Sequence, residues 1–337
     1  MADLSTSDTP LNPVSYLRAH AAGWRWRDEA VGVVMVGFAG LVMVAVLPHL
    51  LPSTPFVHLD QGRLHAGVGF IACALILFVL RAPVRALISA VVGSVMLASI
   101  ALFALTSLAP MASGRQADFT MISFNVLGTN PRGNEIAAYL VDEAPDVLFV
   151  MEALAIGNDL EVINATFPYR AGCWPGPRCD MAVYSQHRFD AVDIIPFSTI
   201  DGRLIRAQIT LDDHQITLLA AHLTKPYWGG WHELQMDRLM EVLADIDGPV
   251  VLAGDFNSQA FVRAFRTHLI DQAGMHLATR LQPTWPALAS PLLSAGGFAI
   301  DHVLVRGDIA PVDVHLIDDP IGSNHRGFIS TFDLDGR

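Results

Sequence analysis

The stretch Val250-Val251-Leu252-Ala253-Gly254-Asp255-Phe256-Asn257-Ser258 decides the fold of the larger part of this chain. An apolar run that ends at a glycine is typical of a buried strand. Asp255 and Asn257 follow two positions apart, and because side chains of an extended segment alternate between faces, the two point the same way. The pattern predicts either a strand that brings a carboxylate and an amide to one edge of a sheet, or an ordinary Asx turn after a strand.

Short apolar runs of the same kind recur after residue 118 and alternate with helical patterns. We predict strands over Phe119–Asn125, Asp146–Met151, Asp180–Ser185, Leu204–Leu211, Gln215–His222, Pro249–Ala253, Ile300–Val305, Val312–Leu316 and Phe328–Asp333. Helices are expected over Asn134–Glu143, Ile156–Thr166, Trp231–Ile246 and Gln259–Ile270, with Ser258 as the N-cap of the last. Strands and helices mixed in this order predict two packed sheets with helices outside.

The first 110 residues have a different composition, with three long apolar stretches that contain no Asp, Glu, Lys or Arg. These are Ala30–Pro52, Leu64–Leu80 and Ala86–Pro110. A bilayer core is spanned by about 20 apolar residues, with roughly 17 as the lower limit, so three transmembrane helices are predicted over residues 30–110. Buried core helices are the alternative. Residues 111–117 are then a linker to a domain over residues 118–337.

Basic residues near the apolar stretches predict the orientation. Arg25 and Arg27 precede the first stretch, and Arg81 and Arg85 lie between the second and the third. By the positive-inside rule, the segment 1–29 and the second loop are cytoplasmic. Three crossings then place the domain on the periplasmic or extracellular side of a multi-pass protein of the bacterial inner membrane.

Charge and cysteines narrow the function classes. From residue 116 onward the chain carries 14 basic and 28 acidic side chains, a charge of −14, and the preceding residues carry +2, which together give the net charge of −12. An acidic domain is a poor partner for duplex DNA, although bound metal ions restore local positive potential.

Cys173 and Cys179 flank a loop, where they form either a disulfide, in an oxidising compartment, or two free thiols. Cys73 is expected to be a small buried hydrophobe.

Six groups of polar residues lie next to predicted strands, and all are of types that bind metal or transfer protons. They are Asn125, Glu152, His222, Asp255 with Asn257, Asp301 with His302, and Ser323-Asn324-His325-Arg326. Each group alone has the simpler explanation of a strand end that meets a polar loop. Together they predict one site at one end of the sheets.

This set of residues, in this order, resembles the endonuclease/exonuclease/phosphatase superfamily over about residues 118–337. The resemblance implies a four-layer sandwich of two mixed sheets flanked by helices, with the site at one end. It also implies metal-assisted attack of water on a phosphoester, with Mg²⁺, or alternatively Mn²⁺, as the cofactor.

The resemblance assigns a role to each residue. Glu152 is the main metal ligand, with Asn125 beside it and Asn324 near the ion. Asp255 orients and deprotonates the attacking water, and Asn257 contacts the phosphate or holds that water. His325, oriented by Asp301, and His222 face the phosphate. The family commonly has Ser-Asp-His where this chain has Ser323-Asn324-His325, so one charge is missing near the ion.

The loop after His222 contains Lys225 and the aromatic residues Tyr227, Trp228 and Trp231. Lys225 and Trp228, together with Arg326, are the expected substrate contacts. Aromatic side chains stack on bases, lie at membrane interfaces, or pack locally. The apolar stretches and the acidic domain favour a lipid headgroup or a small phosphoester over nucleic acid, with the bilayer as the other partner and no protein partner evident. A membrane-anchored module that binds phosphoesters without catalysis is the alternative, and Asn324 favours it. A transporter is disfavoured because the apolar stretches lack charged residues.

Overall fold

The structure is a computed structural model that describes residues 13–51, 56–172, 180–197, 200–227, 230–287 and 291–335. Contacts divide the chain into two units, one of residues 1–52 and 62–99, the other of residues 53–61 and 100–337. The second unit therefore includes the segment that connects the first two apolar stretches.

Three long helices make up the N-terminal part: α1 over Pro13–Leu50, α2 over Arg63–Val79 and α3 over Pro83–Ser107. A 3₁₀ turn, Phe56–Gly62, precedes α2. The segments Trp26–Leu50, Phe56–Val79 and Pro83–Ser107 are long and apolar enough to cross a membrane. Large apolar side chains along all three helices are exposed, among them Val36, Phe78 and Leu87, as expected of surfaces that meet lipid rather than water.

The remaining chain forms two six-stranded sheets with helices outside them. The strands are β1 Phe119–Asn125, β2 Val147–Met151, β3 Tyr169–Gly172, β4 Met181–Ser185, β5 Phe189–Phe197, β6 Ile200–Leu211, β7 His214–His222, β8 Val250–Asp255, β9 His276–Leu277, β10 Asp301–Arg306, β11 Ala310–Leu316 and β12 Phe328–Asp333. One sheet has the order β11-β12-β1-β2-β4-β3 and the other β5-β6-β7-β8-β10-β9. The predicted architecture of two packed mixed sheets flanked by helices is confirmed.

The main core lies between the two sheets, where alternate side chains of both pack against each other. Fully buried Phe149, Met181, Leu218, Val251 and Val303 belong to this layer. A second buried cluster, which includes Ile122, Leu140 and Ile163, packs the outer face of the first sheet against its helices. Burial on both faces explains why the central strands are continuous apolar runs instead of alternating ones.

The helices of this unit are α4 Gly133–Glu143, α5 Leu160–Thr166, α6 Trp231–Ala244, α7 Arg263–Phe265 and α8 Pro291–Ser294; a 3₁₀ turn, Ala153–Ile156, precedes α5, and a π-helix, Arg266–Gln272, continues α7. The expected helix over Gln259–Ile270 was wrong in its start, because residues 259–262 turn before α7 begins. Ser258 is therefore not an N-cap; Val262 precedes the helix, and the hydroxyl of Ser258 accepts a hydrogen bond from Gln61.

Sequence patterns missed β3, β5 and β9. The strand β5 lies at a sheet edge, and most of its side chains are exposed. Its apolar residues are interrupted by Asp190, Asp193 and Pro196, so the pattern of a buried strand is missing. The predicted hairpin of β6 and β7 is confirmed, with Leu211 paired to His214 at its turn. Residues of the expected linker hydrogen-bond to the same unit, since the Ala112 amide donates to Pro311 O and Arg115 pairs with Asp333.

Candidate active site

The strand topology brings the ends of six strands to one edge. The parallel pair β1 and β2 ends at Asn125 and Met151, which are in register, and Glu152 follows. The parallel pair β7 and β8 ends at His222 and Asp255, which are also in register. Because the carboxyl ends of parallel strands meet at the same edge, register pairs the site residues within each sheet. The packing of the two sheets then brings Asn125 within 3.1 Å of Asp255.

The strands antiparallel to β8 and β1 bring in the remaining site residues. Asp301 begins β10 directly opposite Asp255. Before β12, the Ser323 hydroxyl donates to Asn125 O over 2.7 Å and accepts from the His325 amide over 3.1 Å. The segment with His325 is therefore fixed over the end of β1.

The backbone is strained where the site residues leave their strands. Glu152 and Asn257 have φ values of 52° and 48°, a region that non-glycine residues rarely adopt. Gly254 has φ 145°, and a Cβ there would lie 1.9 Å from Ala221 O on β7. Only glycine allows β8 to approach β7 this closely immediately before Asp255.

Asp255 lies at the centre of the site with 1 % of its surface exposed. Its Oδ1 accepts the Asn257 amide over 2.8 Å, and its Oδ2 accepts Asn125 Nδ2 over 3.1 Å. The Nε2 atoms of His222 and His325 lie 3.6 and 3.8 Å from the same Oδ2. Burial, and then the nearby Asp301, raise the pKa of Asp255 although the two imidazoles oppose this shift.

His325 forms a buried pair with Asp301, whose Oδ2 lies 2.9 Å from its Nδ1. Burial alone would lower the pKa of His325, but Asp301 and Asp255 outweigh it and raise the pKa to about 9. The ring is therefore protonated at neutral pH, and its Nε2–H is available to an anion beside Asp255.

A second buried aspartate–histidine pair involves Asp180, which the sequence patterns did not predict as a site residue. Asp180 Oδ2 lies 2.8 Å from His222 Nδ1, and Asp180 Oδ1 accepts Arg203 NH2 over 2.9 Å. Burial opposes a charged ring, yet Asp180 and Asp255 raise the pKa of His222, while Arg203 lowers it. A signal was present, because Asp180 directly precedes β4 as the other site residues adjoin their strands.

Glu152 and Asn125 have side-chain oxygen atoms that are candidate ligands of a divalent ion. Glu152 Oε2 accepts the Gly128 amide over 2.8 Å, and its Oε1 faces Asn125 Nδ2 at 3.2 Å. Carboxylate oxygens next to Asp255 form the hard donor set that Mg²⁺ prefers, so these residues fit the ion. Asn125 turns its N–H towards the carboxylates and its oxygen towards the Leu127 amide, so its role as an oxygen ligand requires the amide to rotate.

Two further features of the site are relevant to metal binding. Asp255, Asp301 and His325 place ligand atoms within 4.8 Å of one another, an arrangement that can hold an ion. However, Asp301 already pairs with His325 Nδ1. Asn324 Oδ1 is buried and has no hydrogen-bond partner among the described residues. A buried polar atom without a partner destabilises the folded protein unless a ligand binds it. This agrees with the predicted position of Asn324 near the ion.

The expected substrate contacts are less well defined. Lys225 is exposed on the loop after β7. Arg326 donates to Asp318 O and lines an open cavity of about 710 Å³ that also includes Ser323 and Arg132. Trp228, and the pair Cys173 and Cys179, lie outside the described residues.

Residues 122–325 match the model of the endonuclease/exonuclease/phosphatase family. The chain belongs to this family. The match begins three residues after β1 starts and ends at His325, before β12, so it includes strands of both sheets and every site residue named above except Arg326. No curated protein matches the sequence.

Solved structures share the family fold. A humanized Danio rerio TDP2 is 21 % identical with a TM-score of 0.52, over 64 % of this chain and 98 % of that one. An endonuclease/exonuclease/phosphatase from Beutenbergia cavernae is 18 % identical with a TM-score of 0.52, over 65 % and 72 %. Another from Bacteroides vulgatus is 14 % identical with a TM-score of 0.53, over 64 % and 98 %. At these identities the likeness concerns the fold alone.

Proposed function

We propose that this protein is a membrane-anchored, divalent-metal-dependent phosphoester hydrolase in which Asp255 activates the attacking water. The observation that carries the proposal is the environment of Asp255 Oδ2, a buried carboxylate oxygen with an imidazole Nε2 at 3.6 Å and another at 3.8 Å. A general base works best when its pKa lies closer to the operating pH, and burial raises that of Asp255.

Each residue near Asp255 has one task in this mechanism. Asp255 accepts the proton of the water. His325, kept protonated by Asp301, donates its Nε2–H to a phosphate oxygen, and His222 contacts another. Asn257 is fixed at the edge by the hydrogen bond from its Nδ2 to Leu223 O, where it holds the water or the phosphate. Positioned donors that meet developing negative charge lower the barrier for phosphoryl transfer.

Glu152, with Asn125 and Asn324 nearby, would hold the metal, for which Mg²⁺ is proposed with Mn²⁺ as the alternative. When bound, the ion supplies positive charge that neutralises the phosphate and the leaving-group oxygen. An acidic protein needs this charge to bind an anionic substrate, because from residue 116 onward acidic side chains outnumber basic ones two to one.

The apolar helices support anchoring in the bacterial inner membrane, with the segment 1–29 in the cytoplasm and the domain on the periplasmic side. The acidic domain and this location favour a lipid headgroup or another small phosphoester. Nucleic acid is the competing substrate: a solved structure with this fold is a Danio rerio TDP2 complexed with a single-stranded DNA product. The unpartnered Asn324 Oδ1 supports a second candidate, a binding module with an impaired metal site.

The test uses the full-length protein in detergent with Mg²⁺ and a chromogenic phosphodiester. Asp255→Asn keeps the shape of the side chain but removes the base, so kcat should fall about 1,000-fold. The matched control is Asp212→Asn, an exposed residue of the β6–β7 turn whose φ of 43° suits asparagine. Activity of Asp255→Asn within threefold of the wild type would contradict the proposal.

Parallel assays with phospholipid vesicles and single-stranded DNA distinguish the substrate classes. The proposal expects metal-dependent cleavage of the vesicle lipid. Cleavage of DNA alone would overturn the lipid assignment but not the hydrolase. Tight, metal-dependent binding without turnover of any of the three substrates would favour the binding module.

A further inference from the structure

The 3₁₀ turn Phe56–Gly62 contacts the segment that follows Asp255 and Asn257. Gln61 donates from Nε2 to the Ser258 hydroxyl over 3.0 Å and accepts the Gln259 amide at its Oε1 over 2.8 Å. The side chain of Gln259 donates to Gln61 O. Asp60 Oδ2 accepts the Arg263 amide over 3.0 Å. The turn thus binds residues 258–263 through both backbone and side chains.

These contacts satisfy groups that are shielded from water. Asp60, Ser258 and Gln259 are 3 %, 1 % and 2 % exposed. The described structure gives the Gln259 amide one partner, Gln61, and a buried amide that loses its partner is destabilising. The turn is therefore part of the folded unit, in line with the assignment of residues 53–61 to that unit.

The segment held by Gln61 begins one residue after Asn257. Asn257 is fixed on one side by Asp255 Oδ1 and Leu223 O. Ser258 is fixed on the other side by His302 Nε2, which donates to its carbonyl oxygen over 2.9 Å, and by Gln61. Because Asn257 adopts a left-handed backbone with φ 48°, its orientation depends on neighbours that hold the chain in this strained turn.

The same turn also contacts the loop after His222. The His58 ring meets Tyr227 edge to face, with centroids 6.5 Å apart. A single short segment thereby touches the loops that follow both β7 and β8, which are the two parallel strands that deliver His222 and Asp255.

We propose that Gln61 is a positioning residue of the active site, which acts through Ser258 and Gln259 to hold Asn257 beside Asp255. The connection between the first two apolar helices thus completes the catalytic unit. The matched family region begins at residue 122, so this element lies outside it. The inference rests on the proposed hydrolase for its catalytic part and on the hydrogen bonds alone for its structural part.

The experiment compares full-length wild type with Gln61→Ala, Gln61→Glu and Gln215→Ala. Glutamate keeps an acceptor for the Gln259 amide and another for the Ser258 hydroxyl. Gln215 is the matched control, exposed at the start of β7 and far from His222. In Gln61→Ala, hydrogen–deuterium exchange over residues 257–263 should rise at least tenfold and kcat should fall about tenfold with KM within twofold. In Gln61→Glu, exchange and kcat should return most of the way to the wild-type values, and Gln215→Ala should equal wild type in both measurements.

Exchange and kcat that are unchanged in Gln61→Ala would overturn the proposal, as would a loss of kcat without faster exchange in this segment. If Gln61→Ala does not fold, Ser258→Ala removes one of the same hydrogen bonds and is judged by the same two measurements. If wild type hydrolyses no phosphoester, the hydrolase fails and exchange alone decides the structural part. The two failures are therefore distinguishable.

Discussion

Asp301–His325 and Asp180–His222 both place an imidazole Nε2 beside Asp255 Oδ2, at 3.8 and 3.6 Å, but the two pairs differ in the charges behind them. Asp180 is shared between His222 and Arg203, whereas the ion pair described for Asp301 is with His325 alone. Among the described ion pairs, Asp301 therefore has no second cationic partner that corresponds to Arg203.

The difference concerns the charges that act on each ring. The pKa of His325 rises to about 9 despite its burial, because Asp301 and Asp255 stabilise the cation. The pKa of His222 also rises, but the positive charge of Arg203 works against the shift. We infer from the position of Arg203 that His325 is the principal cationic donor of the site and that His222 is the secondary one.

Asp301→Asn should have the largest effect on this comparison. The variant removes the charge that keeps His325 protonated and oriented, so kcat/KM should fall about 1,000-fold at pH 7.5, the scale of a lost acid–base group. Steady-state kinetics on a phosphodiester measure the effect. Asp313→Asn is the matched control, since Asp313 forms an equivalent but exposed pair with His315 and should leave activity unchanged. A drop below tenfold in Asp301→Asn would contradict the role of the pair.

The pH dependence of stability tests His325 without any assay of activity. The pKa of about 9 in the folded protein exceeds the ordinary histidine pKa of 6.5, so the stabilising contribution of His325 is complete below pH 6.5 and is lost as the pH rises through about 9. Between pH 6 and 9.5 wild type should lose about 3 kcal/mol more than His325→Gln. Denaturant unfolding in EDTA measures this difference, and equal losses would show that the ring is not a buried cation.

Asp180→Asn should have a smaller effect than Asp301→Asn. Removing Asp180 leaves Arg203 beside His222, which lowers the proton affinity of the ring but does not affect His325. We expect kcat/KM to fall about tenfold, in the range typical of a partner that orients a functional side chain. The comparison of the two asparagine variants in one assay is decisive. If Asp180→Asn is the more damaging, the assignment of the two histidines is reversed.

The sequence predicted the fold and most of the site for a physical reason. Buried strands are apolar on both faces, and their polar termini are visible, so Asn125, Glu152, His222, Asp255 and Asp301 could be recognised before their neighbours were known. Register then pairs them within each sheet, and the packing of the two sheets brings the two groups together.

Other features depend on contacts that a linear pattern does not contain. Asp180 gains its role only because β4 pairs with β2 and Arg203 comes from β6. In the exposed edge strand β5, Asp190, Asp193 and Pro196 interrupt the apolar residues, so the runs are too short to predict a strand. Ser258 looks like an N-cap in sequence, but its hydroxyl bonds to Gln61, 197 residues away. Such long-range partners explain why Asp180 and Gln61 were missed, whereas the residues proposed to act directly were predicted.

The most direct test of the account is the metal dependence of phosphodiester hydrolysis by full-length wild type and Glu152→Gln. We predict that EDTA abolishes wild-type activity, that Mg²⁺ restores it, and that Glu152→Gln needs at least tenfold more Mg²⁺ for half-maximal activity, because it loses the charged ligand. Full wild-type activity in EDTA, or the same Mg²⁺ requirement in both proteins, would contradict the account.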